Sequence, residues 1–499
     1  MNLKKIISNL KIEKISGNPD LEIEGLGYDS RKMRKNFLFV AIRGFQQDGH
    51  EFISQAIKKG AKAIIVERDT PIPHLDVVSI KVPSSRLALA KVSNCFYRFP
   101  SQKIKVIGIT GTNGKTTTAY MLESILNAAK FKVGKISTID YNLGNEPHSS
   151  HPSFITTPEP EELQKMLRIM VDKKVKYVIM EVSSHSLVLH RVEGVEFDWV
   201  IFTNLSQDHL DFHKTMDNYL KAKASLFKSP ESDYGEKTTK KAIINVDDKA
   251  GNYILKNTSC PTITYGIKEK ALFQAKVVGA GIEGTSFILK IKGEEKEKID
   301  LSLPGLHNVY NALAAATVSF EENISLPLIK RGLENLKRIS GRLEPVENRE
   351  GFKIFVDYAH TPDGLKKVLE SLCKITKKRL IVVFGCGGDR DKLKRPLMGK
   401  AVIELADYSI ITSDNPRSED PEDIIYQIEK GAKDKGGKKI KDYLTIPDRR
   451  EAIKKALQIM KKGDVLLIAG KGHEKKQIFK DKVIKFDDRE VTQNLLKEM

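Results

Sequence analysis

The sequence has few cysteines and no long apolar run, and both absences exclude whole classes of protein. Four of its 499 residues are cysteine, and none belongs to a Cys-x-x-Cys pair, so neither a disulfide framework nor a zinc knuckle is predicted. No apolar stretch approaches the roughly 20 residues that a membrane-spanning helix needs. The first ten residues are too polar and interrupted for a signal peptide. We therefore expect a cytoplasmic protein without membrane insertion.

Positively charged residues, in contrast, are abundant. They could bind a nucleic acid, an anionic lipid or a polyanionic small substrate. The chain has 84 Lys and Arg against 65 Asp and Glu, a net charge of +19. The lysines are scattered over the whole chain, and no basic motif with interleaved aromatic residues stands out. The charge pattern therefore indicates a solvated surface, and we expect no nucleic-acid partner.

The length and the alternation of strand-like and helix-like segments predict an α/β protein of about three domains. We place the domain boundaries at residues 1–100, 101–337 and 338–499. The first unit is a small α/β domain, and the third repeats a doubly wound pattern of strands and helices.

Within the central unit, residues 176–182 and 197–204 are near-continuous apolar runs closed by polar residues. Such runs are typical of buried parallel strands. Residues 270–303 alternate in short segments, which predicts an antiparallel edge to the same sheet.

The stretch Val106–Thr118 predicts a phosphate-binding loop. An apolar run passes through Thr110–Gly114 into a helical pattern that begins near Lys115. Glycines let backbone N–H groups turn toward phosphates, and the helix offers its positive N-terminal end. Lys115 would then reach the β- and γ-phosphates of ATP, and the Thr116 hydroxyl would bind Mg²⁺. The spacing departs from the generic P-loop, because Ile109 stands where Gly-x-x-x-x-Gly-Lys has its first glycine.

Polar side chains follow the next two strands of the predicted central sheet. Ligands of open α/β sheets gather beyond the carboxyl ends of the strands, where Glu181 and Asn204 fall. Mg²⁺ prefers carboxylates together with phosphate oxygens, so Glu181 is a candidate ligand. His209 on its own fits a structural role better than ligation. Lys223 lies in an amphipathic helical pattern and, from the residues alone, is interpreted as a surface lysine.

Two charged segments follow successive strands of the third unit. Asp389, Arg390 and Asp391 come after a glycine-rich strand exit, and Asp414–Arg417 follows the next strand. The planar guanidinium groups of Arg390 and Arg417 could bind a carboxylate through paired hydrogen bonds. Either segment alone fits an ordinary charged turn. Their position at successive strand exits favours a binding site.

In eight segments the chain resembles the Mur ligase family, the ATP-dependent amide-forming enzymes of peptidoglycan precursor synthesis. The resemblance runs essentially from end to end. The segments are Tyr28–Arg31, Gly111–Thr117, Glu181–His185, Thr203–Asp211, Asp357–Pro362, Gly385–Asp391, Asp414–Arg417 and Gly470–Glu474. Members of this family use the shorter glycine spacing, which explains the departure at Ile109.

The resemblance implies a domain for the UDP end of a substrate, a central P-loop ATPase domain and a C-terminal Rossmann-like domain. It also implies roles for individual residues. ATP would be bound by Gly111, Thr112, Asn113, Gly114, Lys115, Thr116, Thr117, Asn308, Arg342 and Asp357. The UDP-muramoyl substrate would be bound by Ser30, Thr156, Thr157, Ser183 and Arg191. The incoming amino acid would be bound by Arg390, Asp414, Asn415, Pro416, Arg417, Gly470 and Glu474. Mg²⁺ would be held by Thr116, Glu181, His209 and Lys223, the last as the family's carbamylated lysine.

The resemblance thus replaces the interpretation of Lys223 as a surface residue, and it implies catalytic roles for Lys115, Lys223 and His209. One position departs from the family's pattern. Relatives often have Gln two residues before the matching arginine, and here that residue is Leu189. The local contact with the muramoyl group is therefore lost or replaced.

The implied activity is that of an ATP-dependent acid–amino-acid ligase of the EC 6.3.2 type. It would add meso-diaminopimelate to UDP-N-acetylmuramoyl-L-alanyl-D-glutamate through an acyl phosphate, in cell-wall synthesis. Arg417 suits the distal carboxylate of diaminopimelate, and Glu474 suits an ammonium group. We expect a monomer.

Three alternatives remain open at this point. A lysine-adding ligase of the same family would not need Arg417. A ligase of the folylpolyglutamate-synthase type shares the ATP loop but leaves Tyr28–Arg31 and Asp414–Arg417 without a role. A non-catalytic nucleotide-binding switch leaves most of the polar strand exits unexplained.

Overall fold

The chain folds into three α/β domains, each built around its own sheet, as predicted. The structure is a computed structural model that describes residues 1–44, 47–72, 76–144, 147–148, 155–228 and 240–499. Within these ranges no helix is long and apolar enough to cross a membrane. All four cysteines are free thiols, which agrees with the prediction of no disulfide framework.

The N-terminal domain contains a five-stranded sheet in the order β1-β5-β4-β3-β2, parallel except for β1. Its strands are β1 (Lys14–Ser16), β2 (Gly25–Gly27), β3 (Phe37–Val40), β4 (Ala61–Val66) and β5 (Val78–Lys81). Its helices are α1 (Leu3–Ile7), α2 (Ile53–Lys58) and α3 (Ser85–Phe96). The Ser84 hydroxyl accepts a hydrogen bond from the Leu87 amide and caps α3, which is a favourable N-terminal arrangement. After the short strand β2, the chain forms a 3-10 turn at Ser30–Lys32, which Asp29 caps.

The central domain contains an eleven-stranded sheet in the order β16-β15-β14-β13-β12-β11-β6-β10-β7-β8-β9. Its strands are β6 (Lys105–Thr110), β7 (Val133–Ile136), β8 (Tyr141–Asn142), β9 (Pro147–His148), β10 (Tyr177–Glu181), β11 (Trp199–Phe202), β12 (Lys241–Asn245), β13 (Thr262–Gly266), β14 (Phe273–Gly281), β15 (Gly284–Ile291) and β16 (Glu294–Leu301). Its helices are α4 (Lys115–Ala128), α5 (Pro160–Asp172), α6 (Ser184–Val188), α7 (Leu210–His213), α8 (Met216–Ala224), α9 (Lys249–Asn257), α10 (Leu306–Glu321) and α11 (Leu326–Asn335). Two 3-10 turns, Pro100–Lys103 and Ser225–Phe227, lie beside these elements.

The middle of the central sheet is parallel, and the predicted antiparallel edge consists of β14, β15 and β16. Alternate residues of the buried strands face the two apolar layers that cover the sheet. Ile107 of β6 packs in one layer with α4, α10 and α11, and Val106 packs in the other with α5. This packing fixes the direction in which the end of β6 points.

The C-terminal domain is doubly wound, as predicted. Its sheet has the order β17-β18-β22-β19-β20-β21 and is parallel from β18 to β21. Its strands are β17 (Glu344–Pro345), β18 (Lys353–Asp357), β19 (Leu380–Phe384), β20 (Tyr408–Ile411), β21 (Tyr443–Thr445) and β22 (Val465–Ala469), and a separate hairpin contains β23 (Lys476–Ile478) and β24 (Val483–Lys485). Its helices are α12 (Pro362–Cys373), α13 (Lys394–Leu405), α14 (Pro421–Asp434), α15 (Arg449–Ile459) and α16 (Asp488–Glu498). Helices α12, α13 and α14 cover one face, and α15 and α16 cover the other.

The central and C-terminal domains are in direct contact across the phosphate loop. The Asn113 side-chain amide donates to Asp363 over 3.1 Å, and Arg342 donates to the Thr116 hydroxyl over 3.1 Å. At the tip of the β14–β15 hairpin, Glu283 pairs with Lys353 at 2.8 Å. The carboxyl ends of both parallel sheets therefore open into a shared cleft.

Candidate active site

The predicted phosphate loop is present between the end of β6 and the start of α4, and two of its glycines are required by close contacts. Gly114 has a φ of 87°, a conformation that a side chain disfavours, and a Cβ there would also collide with the Asn311 side chain. A Cβ on Gly111 would collide with the Thr203 hydroxyl. The spacing of glycines in this loop therefore follows from how tightly β11 and α10 pack against it.

Polar groups at the end of β11 hold this loop in place. The Asn113 amide donates to the Asn204 side-chain oxygen over 3.0 Å, and the Thr112 amide donates to the Asn204 carbonyl over 2.9 Å. The Asn113 carbonyl accepts from the Thr203 hydroxyl over 2.7 Å. Asn204, predicted at a strand exit, thus shapes the loop directly.

Two lysines converge on one carbonyl oxygen of the loop. Lys115 Nζ donates to the carbonyls of Gly111 and Thr112, each over 2.9 Å. Lys223 Nζ donates to the same Gly111 carbonyl over 2.9 Å. Burial lowers the pKa of both amines, and the proximity of Lys115 lowers the pKa of Lys223 further. Lys223 is only 1% exposed, so its interpretation as a surface lysine is wrong.

The carboxylate of Glu181 is fully buried at the end of β10. Both its oxygens accept hydrogen bonds from Thr138, one from the amide and one from the hydroxyl, each over 2.9 Å. These bonds fix the orientation of the carboxylate while leaving lone pairs on both oxygens. Thr138 was not identified from the sequence, because no motif marks it.

His209 belongs to a group of charged and imidazole side chains that spans both domains. Its ring Nε2 lies 3.3 Å from Asp208, which also lies 3.8 Å from His360 and 3.5 Å from Lys394. Burial alone would raise the pKa of Asp208, but Lys394 and the two imidazoles hold that pKa below its ordinary value. Burial lowers the pKa of His209 to about 3, so its imidazole is neutral and able to act as a ligand at neutral pH.

A cavity of about 450 Å³ lies between the central and C-terminal domains beside the phosphate loop. Asn308, Arg342 and Asp357, to which the resemblance assigns ATP binding, line this cavity. Asp357 accepts hydrogen bonds from the amides of Leu343 and Ala359, over 2.6 and 2.7 Å, and burial raises its pKa. The cavity has the size and the polar lining expected of a nucleotide pocket.

Three of the residues assigned to the UDP-muramoyl substrate are joined in one hydrogen-bonded group. Thr157 donates to the Glu181 carbonyl over 2.9 Å and accepts from the Ser183 amide over 3.1 Å, and its own carbonyl accepts from Arg191 over 3.3 Å. The Thr156 hydroxyl lies 3.2 Å from the Thr138 hydroxyl and donates to it, because the Thr138 proton is used in the bond to Glu181.

The resemblance singled out two further positions for the same substrate, Ser30 and Leu189. Ser30 lies in the N-terminal domain, where its hydroxyl donates to Gln55 over 2.6 Å. Leu189, the position that departs from the family's pattern, is 9% exposed.

A second group of polar side chains lies beyond the ends of β20 and β22 in the C-terminal domain. Asn415 donates to Glu474 over 2.6 Å, and Lys471 donates to Asn415 over 3.2 Å and to the Lys476 carbonyl over 2.6 Å. A Cβ on Gly470 would collide with Asp414. Burial raises the pKa of Glu474, and the nearby Asp414 raises it further. Sequence reasoning missed the fully buried Lys471, whose position in the GKGHE segment was the available signal.

Arg390 and Arg417, which were predicted to bind a carboxylate, lie next to this group. Arg417 donates to the Gly388 carbonyl over 2.7 Å, and Arg390 is exposed. Burial lowers the pKa of Arg417, and Arg390 lowers it further. The loop at Gly388 approaches Pro416 so closely that a side chain at this glycine would collide with the proline carbonyl. One charged cluster therefore combines the guanidinium groups of Arg390 and Arg417 with the carboxylates of Asp414 and Glu474.

The oxygen and nitrogen groups near the loop fit a Mg²⁺ ion that is shared with nucleotide phosphates. Such ions use one or two protein carboxylates and keep several waters. In the described part of the chain, no three His, Cys, Asp or Glu side chains converge as a self-contained metal site. Glu181 and the Thr116 hydroxyl supply the donor set that a phosphate-bound Mg²⁺ requires.

Three family models match consecutive parts of the chain. They are described as Mur ligase family, catalytic domain (residues 22–97), Mur ligase middle domain (residues 109–319) and Mur ligase, glutamate ligase domain (residues 341–472).

One curated relative, UDP-N-acetylmuramoyl-L-alanyl-D-glutamate–2,6-diaminopimelate ligase 1 of Clostridium acetobutylicum, is 47% identical over the full length of both chains. A solved structure of a UDP-N-acetylmuramoyl-L-alanyl-D-glutamate–2,6-diaminopimelate ligase matches with a TM-score of 0.67 at 29% identity, covering 100% of this chain and 99% of that one. MurF ligase from Thermotoga maritima, solved in complex with ADP, matches with a TM-score of 0.63 at 22% identity, covering 95% and 96% of the two chains.

Proposed function

The chain belongs to the Mur ligase family, and we propose that it joins meso-diaminopimelate to UDP-N-acetylmuramoyl-L-alanyl-D-glutamate at the expense of ATP. It is an ATP-dependent ligase of peptidoglycan precursor synthesis. The strongest support for this substrate is the charged cluster that combines Arg390 and Arg417 with Asp414 and Glu474. Diaminopimelate brings a carboxylate and an ammonium group at its distal end, and this cluster offers a partner for each.

The reaction needs no protein nucleophile. The γ-carboxylate of D-glutamate attacks the γ-phosphorus of ATP, which forms an acyl phosphate and releases ADP. The amine of diaminopimelate then attacks the acyl carbon, and the tetrahedral intermediate expels phosphate as the amine loses its proton. The acyl phosphate is hydrolysed by water, so contact between the domains protects it. The bonds from Asn113 to Asp363 and from Arg342 to Thr116 close the cleft in this way.

Lys115 stabilises the transferring phosphoryl group. Its Nζ lies on the carbonyls of Gly111 and Thr112, at the entrance to α4. Approach of an anionic phosphate raises the pKa of a buried lysine, which restores its positive charge where it is needed.

Thr116, Glu181, His209 and a carbamylated Lys223 would hold Mg²⁺, which neutralises charge on the phosphates when it is bound. Carbamylation requires an uncharged amine, because the lone pair of Nζ attacks carbon dioxide and a proton is released. Burial and the nearby Lys115 favour the uncharged form of Lys223. The resulting carbamate supplies two oxygen atoms next to the phosphate loop.

The remaining assignments follow the same reasoning. We assign residues 1–100 to the UDP end of the substrate, 101–337 to ATP and 338–499 to the amino acid. Ser30, Thr156, Thr157, Ser183 and Arg191 bind the UDP-muramoyl substrate in this account. The protein acts as a cytoplasmic monomer.

A lysine-adding ligase is the second candidate, and the distal arginine argues against it. Lysine has no distal carboxylate, so Arg417 would keep only the Gly388 carbonyl and the charges of Asp414 and Glu474 as partners, and its guanidinium would have no role in binding the substrate. A ligase of the folylpolyglutamate type leaves the first domain, which a Mur ligase model matches over residues 22–97, without a role.

Release of ADP measured with each substrate omitted in turn tests the proposal. We expect steady ADP release and a product with the mass of the UDP-muramoyl tripeptide only when UDP-muramoyl dipeptide, ATP and meso-diaminopimelate are all present. Steady ADP release without amide product would reject the ligase and support the nucleotide-binding switch.

A further inference from the structure

Three charged side chains meet where the N-terminal domain contacts the central domain. Arg86 lies in the first turn of α3, Glu159 immediately precedes α5, and Arg191 lies just after α6. Glu159 Oε2 lies 3.9 Å from Arg86 Nη1, and Glu159 Oε1 lies 2.8 Å from Arg191 Nε. One carboxylate is thus placed between two guanidinium groups that belong to different domains.

Each of these three side chains has one buried polar atom that forms no hydrogen bond with the described part of the chain. These atoms are Arg86 Nη1, Glu159 Oε2 and Arg191 Nε. Glu159 and Arg191 are 9% and 8% exposed. Leaving buried charged groups without hydrogen bonds is costly, and native proteins rarely do so without a functional reason.

Both arginines are held in position by their other nitrogen atoms. Arg86 Nη2 donates to the Arg43 carbonyl over 2.9 Å, and Arg191 Nη1 donates to the Thr157 carbonyl over 3.3 Å. Arg86 Nη1 and Arg191 Nε therefore both lie next to Glu159, within ion-pair distance but without an aligned hydrogen bond. Two guanidinium groups share the one carboxylate of Glu159, and Glu67 also acts on Arg86 from within the N-terminal domain. Two converging guanidinium groups that form no aligned hydrogen bond with Glu159 suit an anionic ligand.

We propose that Arg86 and Arg191 together bind one anionic group of the UDP-muramoyl substrate, and that Glu159 competes for the same two guanidinium groups. This inference rests on the proposed function. Arg86 is then a substrate-binding residue supplied by the N-terminal domain, and substrate binding joins that domain to the central one.

The substrate carries two kinds of anion that a guanidinium binds well, the diphosphate of its UDP end and the α-carboxylate of its D-glutamate. Arg86 belongs to the same domain as Ser30, which the family resemblance assigns to the UDP end, whereas Thr157 and Arg191 are assigned to the muramoyl side. Binding of UDP alone distinguishes the two sources.

The test compares Arg86→Gln, Arg86→Lys and the control Lys91→Gln, which removes a positive charge from the same helix. We expect Arg86→Gln to raise the KM for the UDP-muramoyl dipeptide 10- to 100-fold, since charge-assisted hydrogen bonds are lost. The KM for ATP and for diaminopimelate should stay unchanged. Arg86→Lys should restore part of the affinity, and Lys91→Gln should behave as wild type.

Glu159→Gln separates substrate binding from a purely structural ion pair. If Arg86 acted only by pairing with Glu159, this variant would raise the KM for the UDP substrate as Arg86→Gln does, and the proposal would fail. Competition for the guanidinium groups predicts that Glu159→Gln lowers that KM instead.

Calorimetric binding of UDP and of the full UDP-muramoyl dipeptide to Arg86→Gln completes the test. Weaker binding of both assigns the diphosphate, and weaker binding of the dipeptide alone assigns the α-carboxylate. Unchanged binding of both, in a variant with the wild-type Tm, overturns the proposal. Wild-type enzyme that forms no amide product rejects the proposed function instead, which is a distinguishable result.

Discussion

The phosphate loop and the proposed amino-acid site each bring two cations together, but they use different residues. At the loop, Lys115 and Lys223 share the Gly111 carbonyl. At the amino-acid site, Arg390 and Arg417 lie close enough for Arg390 to lower the pKa of Arg417. A buried lysine can lose its proton near neutral pH, whereas an arginine stays charged. Two neighbouring cations therefore have different consequences in the two regions: at the loop a lysine can lose its charge, and at the amino-acid site both arginines keep theirs.

At the loop, crowding and burial favour an uncharged Lys223, which can react with carbon dioxide, while a bound phosphate keeps Lys115 charged. At the proposed amino-acid site, the two arginines stay charged at all physiological pH values and stand beside the carboxylates of Asp414 and Glu474. In the proposed mechanism, the loop provides chemistry that is independent of the amino acid, and the amino-acid site provides selectivity.

Lys115→Ala should have the largest effect, because it removes the charge that stabilises the transferring phosphoryl group. We expect ligation to fall at least about 10³-fold while binding of the UDP-muramoyl dipeptide is retained. Product formation and calorimetric binding measure the two quantities. Normal turnover by this variant would remove the loop from the mechanism.

Lys223→Arg should reduce ligation by about 10²- to 10³-fold, because arginine keeps a positive charge where the mechanism needs a carbamate. Lys221→Ala on the same helix is the matched control. Lys221 is exposed, and the ion pair that the structure describes for it is with Asp217 over 2.7 Å. Mass spectrometry of the intact wild-type protein, kept in bicarbonate, should show addition of one carbon dioxide. Equal rates for wild type and Lys223→Arg would contradict a carbamate at this position.

Arg417→Lys should affect selectivity more than chemistry. Arg417 has a φ of 54°, and lysine takes the same backbone strain. The change therefore removes the guanidinium's bond to the Gly388 carbonyl and its proposed paired contact with the substrate carboxylate. We expect kcat/KM for meso-diaminopimelate to fall about 10- to 100-fold, with an unchanged KM for ATP. Arg450→Lys, at an exposed ion pair with Glu498, is the control. A matching rise in the KM for ATP would mean that the two regions do not act independently.

Glu419→Gln should have the smallest effect on catalysis. Its effect on the stability of the fold should depend on pH. Hydrogen bonds from the buried Arg395 lower the pKa of Glu419 to about 2. Because this pKa lies below that of the unfolded chain, the stabilisation is present above about pH 4.3 and is lost as pH falls toward 2. It is worth at most on the order of 3 kcal/mol.

Thermal unfolding should therefore show a lower Tm for Glu419→Gln than for wild type at pH 7, and the difference should shrink toward pH 3. Glu419 also accepts a hydrogen bond from the Asp389 amide over 2.6 Å, so the KM for diaminopimelate should rise a few-fold. Glu404→Gln, which breaks an exposed pair with Lys435, should change neither. A Tm difference that is constant with pH would contradict this account of Glu419.

Features that depend on neighbouring residues could be predicted from the sequence. The phosphate loop is one continuous strand–turn–helix segment, and the polar strand exits at Glu181 and Asp414 follow directly from apolar runs. The parallel core of the central sheet and its antiparallel edge were predicted for the same reason. Short strands such as β5 and β21 could not be predicted in this way, because four and three residues leave too little periodicity.

Features that depend on distant residues could not be predicted in this way. Burial of Lys223 follows from its contact with Gly111, which is 112 residues away, and Thr116 meets Arg342 across 226 residues. Lys471 resembles any surface lysine until the fold places it against Asn415. Resemblance to a family identified Lys223 where the helical pattern gave the opposite answer.

The most direct test of the account offers wild-type enzyme an equimolar mixture of meso-diaminopimelate and L-lysine, together with ATP and UDP-muramoyl dipeptide. The masses of the products report which amino acid the C-terminal domain selects. We predict the diaminopimelate adduct as the main product. A predominant lysine adduct would contradict the role of Arg417 and the assignment of the amino-acid site.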